Sequence, residues 1–377
     1  MDITHLLPLL GGISPQQFMK RYWQKKPLLV RQALPQFTPL LNRSELLALA
    51  GDDDVATRLV VQHPGQTPAW QLKHGPFQRK ALPPFKQPGW TVLLQGVDLH
   101  DEAVHQLMNQ FRFVPDARLD DVMISYATDG GGVGPHIDSY DVFLLQAQGR
   151  RLWRIGRQKD PQMQAGVPLR ILTNFVPEEE FVVEPGDLLY LPPGYAHDGI
   201  AQGECMTYSI GFRIPKKAEL ARELLQRVAD QAEDELGEVL YRDAGQPAVG
   251  QAAEIPAAMQ VFAQKAVQDA LNDPLAVARG LGEYMTEPKP NVWFESQDEG
   301  AAVVGRAVRL DRRTKMMFDQ QHIFINGESF LAAGRDADLM RLLANQRTLA
   351  AKEAKKLSKQ AQQLLVTWAV SGWLHLY

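Results

Sequence analysis

Two histidines and one aspartate hold the clearest chemistry in this sequence. His136 and Asp138 are separated by one residue in GPHIDSY, just after the run Gly130-Gly131-Gly132. Alternate side chains of an extended strand share a face, so the imidazole and the carboxylate look the same way. A third group comes from EPGDLLYLPPGYAH, where a short apolar strand and a Pro192-Pro193-Gly194 turn bring His197 back toward them. Two imidazoles and a carboxylate occupy one face of an octahedral ion and leave other positions open, the pattern of non-haem Fe(II) oxygenases. Zinc is the alternative metal, but hydrolysis at zinc needs a base beside the activated water, and no neighbouring glutamate presents itself. An HxD pair alone means little in a chain with nine histidines; its specificity comes from the histidine that closes the Pro-Pro-Gly unit. His5, His63, His74, His100, His105, His322 and His375 have no convergent partners in the sequence and read as surface or capped core residues.

Such a site needs a second charged anchor if it takes a keto-acid cosubstrate. In RRLWRIG the two-residue period groups Arg151 with Trp153 and Ile155, an inward face, and turns Arg150 and Arg154 to solvent. An inward guanidinium suits a carboxylate, which it holds through two parallel hydrogen bonds. The competing reading is a salt bridge between Arg151 and a structural acid. In VMISYA, Ser125 shares a face with Met123 and Ala127 and could hydrogen-bond the same carboxylate; Ser209 in TYSIGF is a candidate of the same kind. Tyr140 and Asp141, just past the HxD pair, lie where a cationic substrate side chain could be received.

The elements that must position these groups are mostly strands. Between Asp121 and Phe212, six runs rich in β-branched and aromatic residues (VMISYA, DVFLLQA, RLWRIG, EFVVEPG, DLLYLPP, MTYSIGF) are bounded by Gly, Pro or Asp. Antiparallel strands at this spacing predict a mostly β catalytic domain, a cupin-like double-stranded β-helix or jelly roll. Upstream, Ser14-Pro15-Gln16-Gln17 predicts a capped helix, and KKPLLVRQ a short strand.

After Ile214-Pro215 the pattern turns helical. Helices are expected at 218–232, 256–271 and 274–284, followed by a linker-like TEPKP at 286–290. AVVGRAVRL and KMMFDQ then read as strands, and HIFINGESF as a hairpin turning at Asn326-Gly327. Helices near 336–346 and 351–370 complete a small α+β unit of winged-helix type. Three domains follow: a catalytic domain at 1–215, a helical segment at 216–288 and a winged-helix-like domain at 289–377.

Composition bounds the partners. The 377 residues carry 45% hydrophobic content and a net charge of −4, so no global field draws the protein to nucleic acid or membrane. Cys205 is the single cysteine, which excludes an internal disulfide and a thiolate-rich zinc site and fits a reducing cytoplasm. MDITHLLPLLGG lacks an export signal, and the apolar run 364–374 is too short to span a bilayer and reads as a buried C-terminal helix. Local basic runs, Arg306 to Lys315 and Lys352 to Lys359, leave a nucleic-acid-binding regulator with a cupin-like sensor as a rival reading.

YWQKKPLLVR, GGGVGPHIDSYDVFLLQAQGRRLWRIG and PGDLLYLPPGYAH together resemble the Jumonji C family of Fe(II)- and 2-oxoglutarate-dependent oxygenases. Within that family they are most similar to the bacterial ribosomal oxygenases that hydroxylate an arginine of large-subunit ribosomal protein sixteen. The resemblance implies iron held by His136, Asp138 and His197, and 2-oxoglutarate held by Arg151 with help from Ser125. It also implies arginine hydroxylation with release of succinate and CO2, and a homodimer formed through the helical segment. Hydroxylation of a histidine or lysine of another protein is the alternative within the same chemistry.

Overall fold

The computed structural model describes residues 2–377 other than 64, 66–68 and 297–305. Its contacts divide the chain into two units, Met1–Ile214 and Pro215–Tyr377.

The first unit carries α1 (Pro15–Arg21), β1 (Leu28–Val30), α2 (Arg43–Leu49), β2 (Thr57–Gln62), β3 (Trp70–His74), β4 (Trp90–Leu94), α3 (Glu102–Asn109), β5 (Leu119–Ala127), β6 (His136–Ile137), β7 (Val142–Arg157), β8 (Glu179–Val183), β9 (Leu188–Leu191) and β10 (Tyr195–Phe212). The expected capping box is present: the Ser14 hydroxyl accepts from the Gln17 amide and the Gln17 side chain from the Ser14 amide. The strands form one antiparallel sheet in the order β1-β9-β7-β10-β5-β4-β2-β3, with β6 on β10 and β8 on β7. Asp187 ties β1 to this sheet by accepting from Arg31 (2.6 Å) and from the Gln32 amide (2.9 Å).

β7 and β10 run the length of the sheet and pair with one another. DVFLLQA and RLWRIG, which read as separate strands, are thus two halves of β7, joined at a corner. Gly149 makes that corner with φ +65°, and a Cβ there would run into the carbonyl oxygen of Glu204. Opposite it, the β7–β10 register shifts between Gln202 and Met206, a bulge that bends the second strand with the first. Bending both long strands curls the sheet into the cupin-like jelly roll that the strand pattern predicted. The core packs Phe18 against Phe143 and Tyr190, and Trp90 against Tyr126, all fully buried.

The second unit opens with helices α4 (Lys217–Leu236), α5 (Ala257–Ala270) and α6 (Ala276–Thr286). There follow β11 (Val308–Leu310), β12 (Met316–Phe318), β13 (His322–Ile325), β14 (Glu328–Leu331), α7 (Gly334–Gln346), β15 (Thr348–Leu349), α8 (Ala351–Ala354), α9 (Lys359–Val370) and β16 (Leu374–Leu376). β13 and β14 turn at Asn326 (φ +48°) and Gly327 (φ +90°), the left-handed pair that an Asn-Gly hairpin requires. α6 is anchored to this hairpin: the buried Thr286 hydroxyl accepts from the Gly327 amide (3.1 Å), and Ser329 donates to Glu283 (2.6 Å).

Two local expectations need correction. The helix expected at 351–370 is split, because the Ser358 hydroxyl accepts from the Ala361 amide and starts α9 afresh. The apolar C-terminal run is helical only to Val370, and Leu374 opens β16. The first residues of AVVGRAVRL lie outside the described residues. Part of the basic run is already engaged: Arg309 stacks on Tyr377, and Arg313 stacks on Trp293 and approaches Asp311.

The Gly149 corner gives a direct test of this architecture. Gly149→Ala must carry a side chain at a left-handed φ and against a carbonyl, and should lower the unfolding free energy by about 2 kcal/mol or more. A urea titration measures the loss, and a value indistinguishable from the parent would show that the corner does not need a glycine.

Candidate metal and cosubstrate site

Register assembles the triad. β6 pairs with the start of β10 so that His136 stands opposite His197, and the two rings lie 4.2 Å apart between centroids. Asp138 follows β6 on the same face, its Oδ2 3.8 Å from His136 Nε2 and 3.7 Å from His197 Nε2. One ligand atom from each residue falls within 4.8 Å of the others, and no other such group occurs among the described residues. Donors on an ion at about 2.1 Å stand about 3 Å apart, so small side-chain rotations close the set. The Pro192-Pro193-Gly194 turn is locked to the pair by the Gly194 amide, which donates to the Asp138 carbonyl (2.9 Å).

Both rings are oriented for coordination. Nδ1 of His136 lies 2.9 Å from the Gly134 carbonyl, and Nδ1 of His197 lies 3.1 Å from the Tyr195 carbonyl. A carbonyl only accepts, so Nδ1 carries the proton and the Nε2 lone pair points to the centre. Burial, reinforced by His136, pulls the His197 pKa down to about 4 against the opposing pull of Asp138. His197 is therefore neutral at ordinary pH, with its Nε2 lone pair available to an ion. Two imidazole nitrogens and one carboxylate fit a divalent ion.

A cavity of about 830 Å³ extends from the triad into the barrel, with Arg151, Ser125, Ser209 and Tyr140 on its wall. Arg151 is 5% exposed. Its guanidinium reaches only the Gly199 carbonyl and the Cys205 sulfur, each at 3.5 Å, and its Nε has no partner. No described carboxylate pairs with it, so the structural salt-bridge reading is not met. A buried guanidinium left this way is costly, and an anionic ligand fits the place. Arg150 and Arg154 pair on the outside with Glu184 and Glu180, as the period of the strand requires. The Ser125 hydroxyl makes only a long contact to the Thr207 carbonyl (3.5 Å).

The expectation that Asp141 receives a substrate cation is not met. It is fully buried on the face opposite the cavity, where it accepts from Tyr190 (2.6 Å), Gln24 (3.1 Å) and Arg118 (3.1 Å). Strand alternation separates it from Tyr140, which does line the cavity. Sequence reasoning missed the wall supplied by β2, β4 and β5: Arg58, Thr91, Asp121 and Met123. The signal available was Thr91 at the head of TVLLQGV, a polar residue entering an otherwise apolar strand.

Residues 106–220 match the JmjC domain family, and residues 269–375 match the ROXA-like winged helix family. The chain is 36% identical over 276 residues to the ribosomal protein uL16 3-hydroxylase of Escherichia coli, covering 72% of this chain and 71% of that protein. A probable ribosomal oxygenase of Haemophilus influenzae is 36% identical over 212 residues, 55% of this chain and 52% of that one. The solved structure of Escherichia coli YcfD superposes with a TM-score of 0.81 at 29% identity, over 96% of this chain and 98% of that one. A second structure of YcfD, a ribosomal oxygenase in complex with cobalt and 2-oxoglutarate, gives 0.78 at 29% identity over 96% and 97%.

Acid titration of the metal-free protein probes the site's electrostatics. With chelator present, folded His197 stays neutral down to about pH 4, whereas the unfolded chain protonates it below its ordinary 6.5. The unfolded state thus binds more protons in this window, and stability falls as pH drops through it, by up to about 1.4 kcal/mol per unit. Urea midpoints between pH 7 and 4.5 should show this slope, and His197→Gln should flatten it; equal slopes would refute the neutral-ligand assignment.

Proposed function

The chain belongs to the JmjC ribosomal oxygenases, and from that premise we propose that it is an Fe(II)- and 2-oxoglutarate-dependent hydroxylase of an arginine side chain, at carbon 3, in ribosomal protein uL16. The observation that carries this reading is the combination, in one cavity, of a His-Asp-His triad and a buried arginine with no acid of its own. Likeness to the uL16 3-hydroxylase of Escherichia coli across most of both chains supports the substrate.

In this reading His136, Asp138 and His197 hold the iron, and the Gly134 and Tyr195 carbonyls fix the tautomers of the two rings. Bound iron supplies the redox chemistry by which dioxygen and 2-oxoglutarate give succinate and CO2, while one oxygen atom enters the substrate C–H bond. Arg151 takes the distal carboxylate of 2-oxoglutarate, with the hydroxyls of Ser125 and Ser209 on the same wall. Trp153, packed with Val142, Leu144 and Ile155, keeps that side of the cavity dry. A dry wall strengthens the Arg151–carboxylate attraction, because no solvent competes for either charge. Tyr140, at the open end, meets the substrate chain.

The remaining assignments follow the chain. Residues 1–215 form the catalytic domain, 216–288 the dimerisation segment and 289–377 the winged-helix-like domain. Exposed apolar side chains gather on the helical segment, including Leu225, Val261, Val267, Val277 and Leu281. Such clustering favours burial against a second copy. No described helix is long and apolar enough to cross a membrane, and a ribosomal substrate supports a cytoplasmic place for the activity.

Purified protein incubated with Fe(II), ascorbate, 2-oxoglutarate and uL16 should form succinate and add one oxygen atom to a single arginine-containing peptide by mass mapping. His136→Ala or Asp138→Ala should abolish turnover while circular dichroism stays unchanged. Arg151→Ala should raise the KM for 2-oxoglutarate by about tenfold or more. An added oxygen on a histidine or lysine would move the substrate assignment; full activity in His136→Ala would remove the ligand set. For the dimer, a paired Val261→Glu and Val267→Glu variant should sediment at half the parent's mass, and a parent that already sediments as a monomer would exclude this interface.

A further inference from the structure

Three hydrogen-bonding atoms on the cavity wall are buried and have no partner among the described residues: Thr91 Oγ1, Arg151 Nε and Trp153 Nε1. Arg151 has a use in the reading above; Thr91 has none. Thr91 is 1% exposed, and its β4 neighbours up to Leu94 are as apolar as a strand core requires. A hydroxyl placed there without an acceptor is destabilising, so a valine of the same shape would serve packing better.

The register says what lies beside it. Thr91 pairs with Ala127 across β4 and β5, and Ala127 pairs with Cys205 across β5 and β10. Thr91, Ala127 and Cys205 thus form one row across the sheet. The far member, Cys205, touches the Arg151 guanidinium. The β10 bulge that answers the Gly149 corner lies between Gln202 and Met206, and it is what sets Cys205 at this place. The middle member is an alanine, buried together with Ala201 and Cys205. Ser125 sits one step along the same face.

Strands lie about 4.8 Å apart, which puts the ends of this row about 10 Å from one another at the backbone. A carboxylate with a hydrogen bond at each oxygen spans about 8 Å. Thr91, Ser125 and Arg151 line the same cavity, so a carboxylate held there meets a hydroxyl on one side and a guanidinium on the other. We propose that Thr91 donates a hydrogen bond to the distal carboxylate of 2-oxoglutarate, opposite Arg151, and that this row of the sheet sets cosubstrate affinity. Cys205 is a positioning residue in this arrangement, in contact with the guanidinium that lines the cavity. The proposal rests on the cosubstrate reading given above.

Calorimetric titration of the Co(II)-loaded protein without dioxygen separates the two. Thr91→Val should weaken 2-oxoglutarate by about five- to twentyfold, and Thr91→Ser should stay within about threefold of the parent. The melting temperature of Thr91→Val should equal or exceed the parent's, because the hydroxyl has no protein partner to lose. Affinity for 2-oxovalerate, which carries a methyl group in place of the distal carboxylate, should be the same in Thr91→Val and the parent. An unchanged Kd for 2-oxoglutarate in Thr91→Val, or an equal loss for both acids, overturns the role of Thr91. Should the valine variant not fold, the same comparison between Thr91→Ala and Thr91→Ser decides it. A parent protein that fails to bind 2-oxoglutarate defeats the cosubstrate reading instead.

Discussion

The pairing of His136 with His197 across two antiparallel strands is the constraint on which the site depends. Side chains alternate between the faces of a sheet, so a slip of one residue between β6 and β10 would send one imidazole to the opposite side. β6 is only two residues long and cannot hold that register by itself. The rest comes from outside the pair: the Gly194 amide clamps the Asp138 carbonyl, and β10 continues for 18 residues along β7 and β5. A short, weak ladder carrying the chemistry is thus registered by a long, strong one. This division lets the metal-binding end be open to substrate without losing its geometry.

The same long strands explain how one sheet supplies both anchors. β7 contributes Arg151 only because the chain has turned the Gly149 corner; before it, β7 contributes the apolar wall at Val142 and Leu144. β10 delivers His197 before its bulge and Cys205, Thr207 and Ser209 at or after it. Metal ligand and carboxylate anchor therefore lie on the same arm of the two strands, His197 paired with Ile155 and Arg151 with Ala201. The ladder between these two pairs sets the distance between them. A keto acid that reaches from a metal to a buried cation must match that distance, so the register of β7 on β10 is as much a determinant of cosubstrate length as any side chain on the wall.

Much of this was legible in the sequence because it depends on period and on residue type. The two-residue period correctly turned Arg151 inward and Arg150 and Arg154 outward, since their neighbours Trp153 and Ile155 mark the buried face. The capping box at Ser14 and the Asn-Gly hairpin were readable for the same reason: each is a local conformation with a local chemical cause. Asp141 was misplaced when its adjacency to Tyr140 was given more weight than the alternation that separates them. What no local pattern could show is a strand that continues through a corner. Gly149 reads as a stop between two strands, and only the pairing with β10 reveals one element. The break before α9 escaped notice because Lys355 to Ser358 continue a helical composition, and the Ser358 cap is decisive only once the backbone is seen to turn there.

Arg151 and Asp141 are both buried but are satisfied in different ways. Asp141 is as deeply buried, yet Tyr190, Gln24 and Arg118 satisfy it, and its charge is settled within the protein. Arg151 receives one carbonyl and one sulfur at the limit of hydrogen bonding, and its Nε receives nothing. Folding alone would select against such a residue, because packed apolar side chains of the same volume stabilise a barrel at least as well. In the proposed reading the missing counter-charge arrives with 2-oxoglutarate, and the energy withheld at folding becomes available to binding. The unpartnered hydroxyl of Thr91 obeys the same logic on a smaller scale: where a barrel wall keeps polar atoms without partners, the partner is to be sought in what the barrel holds.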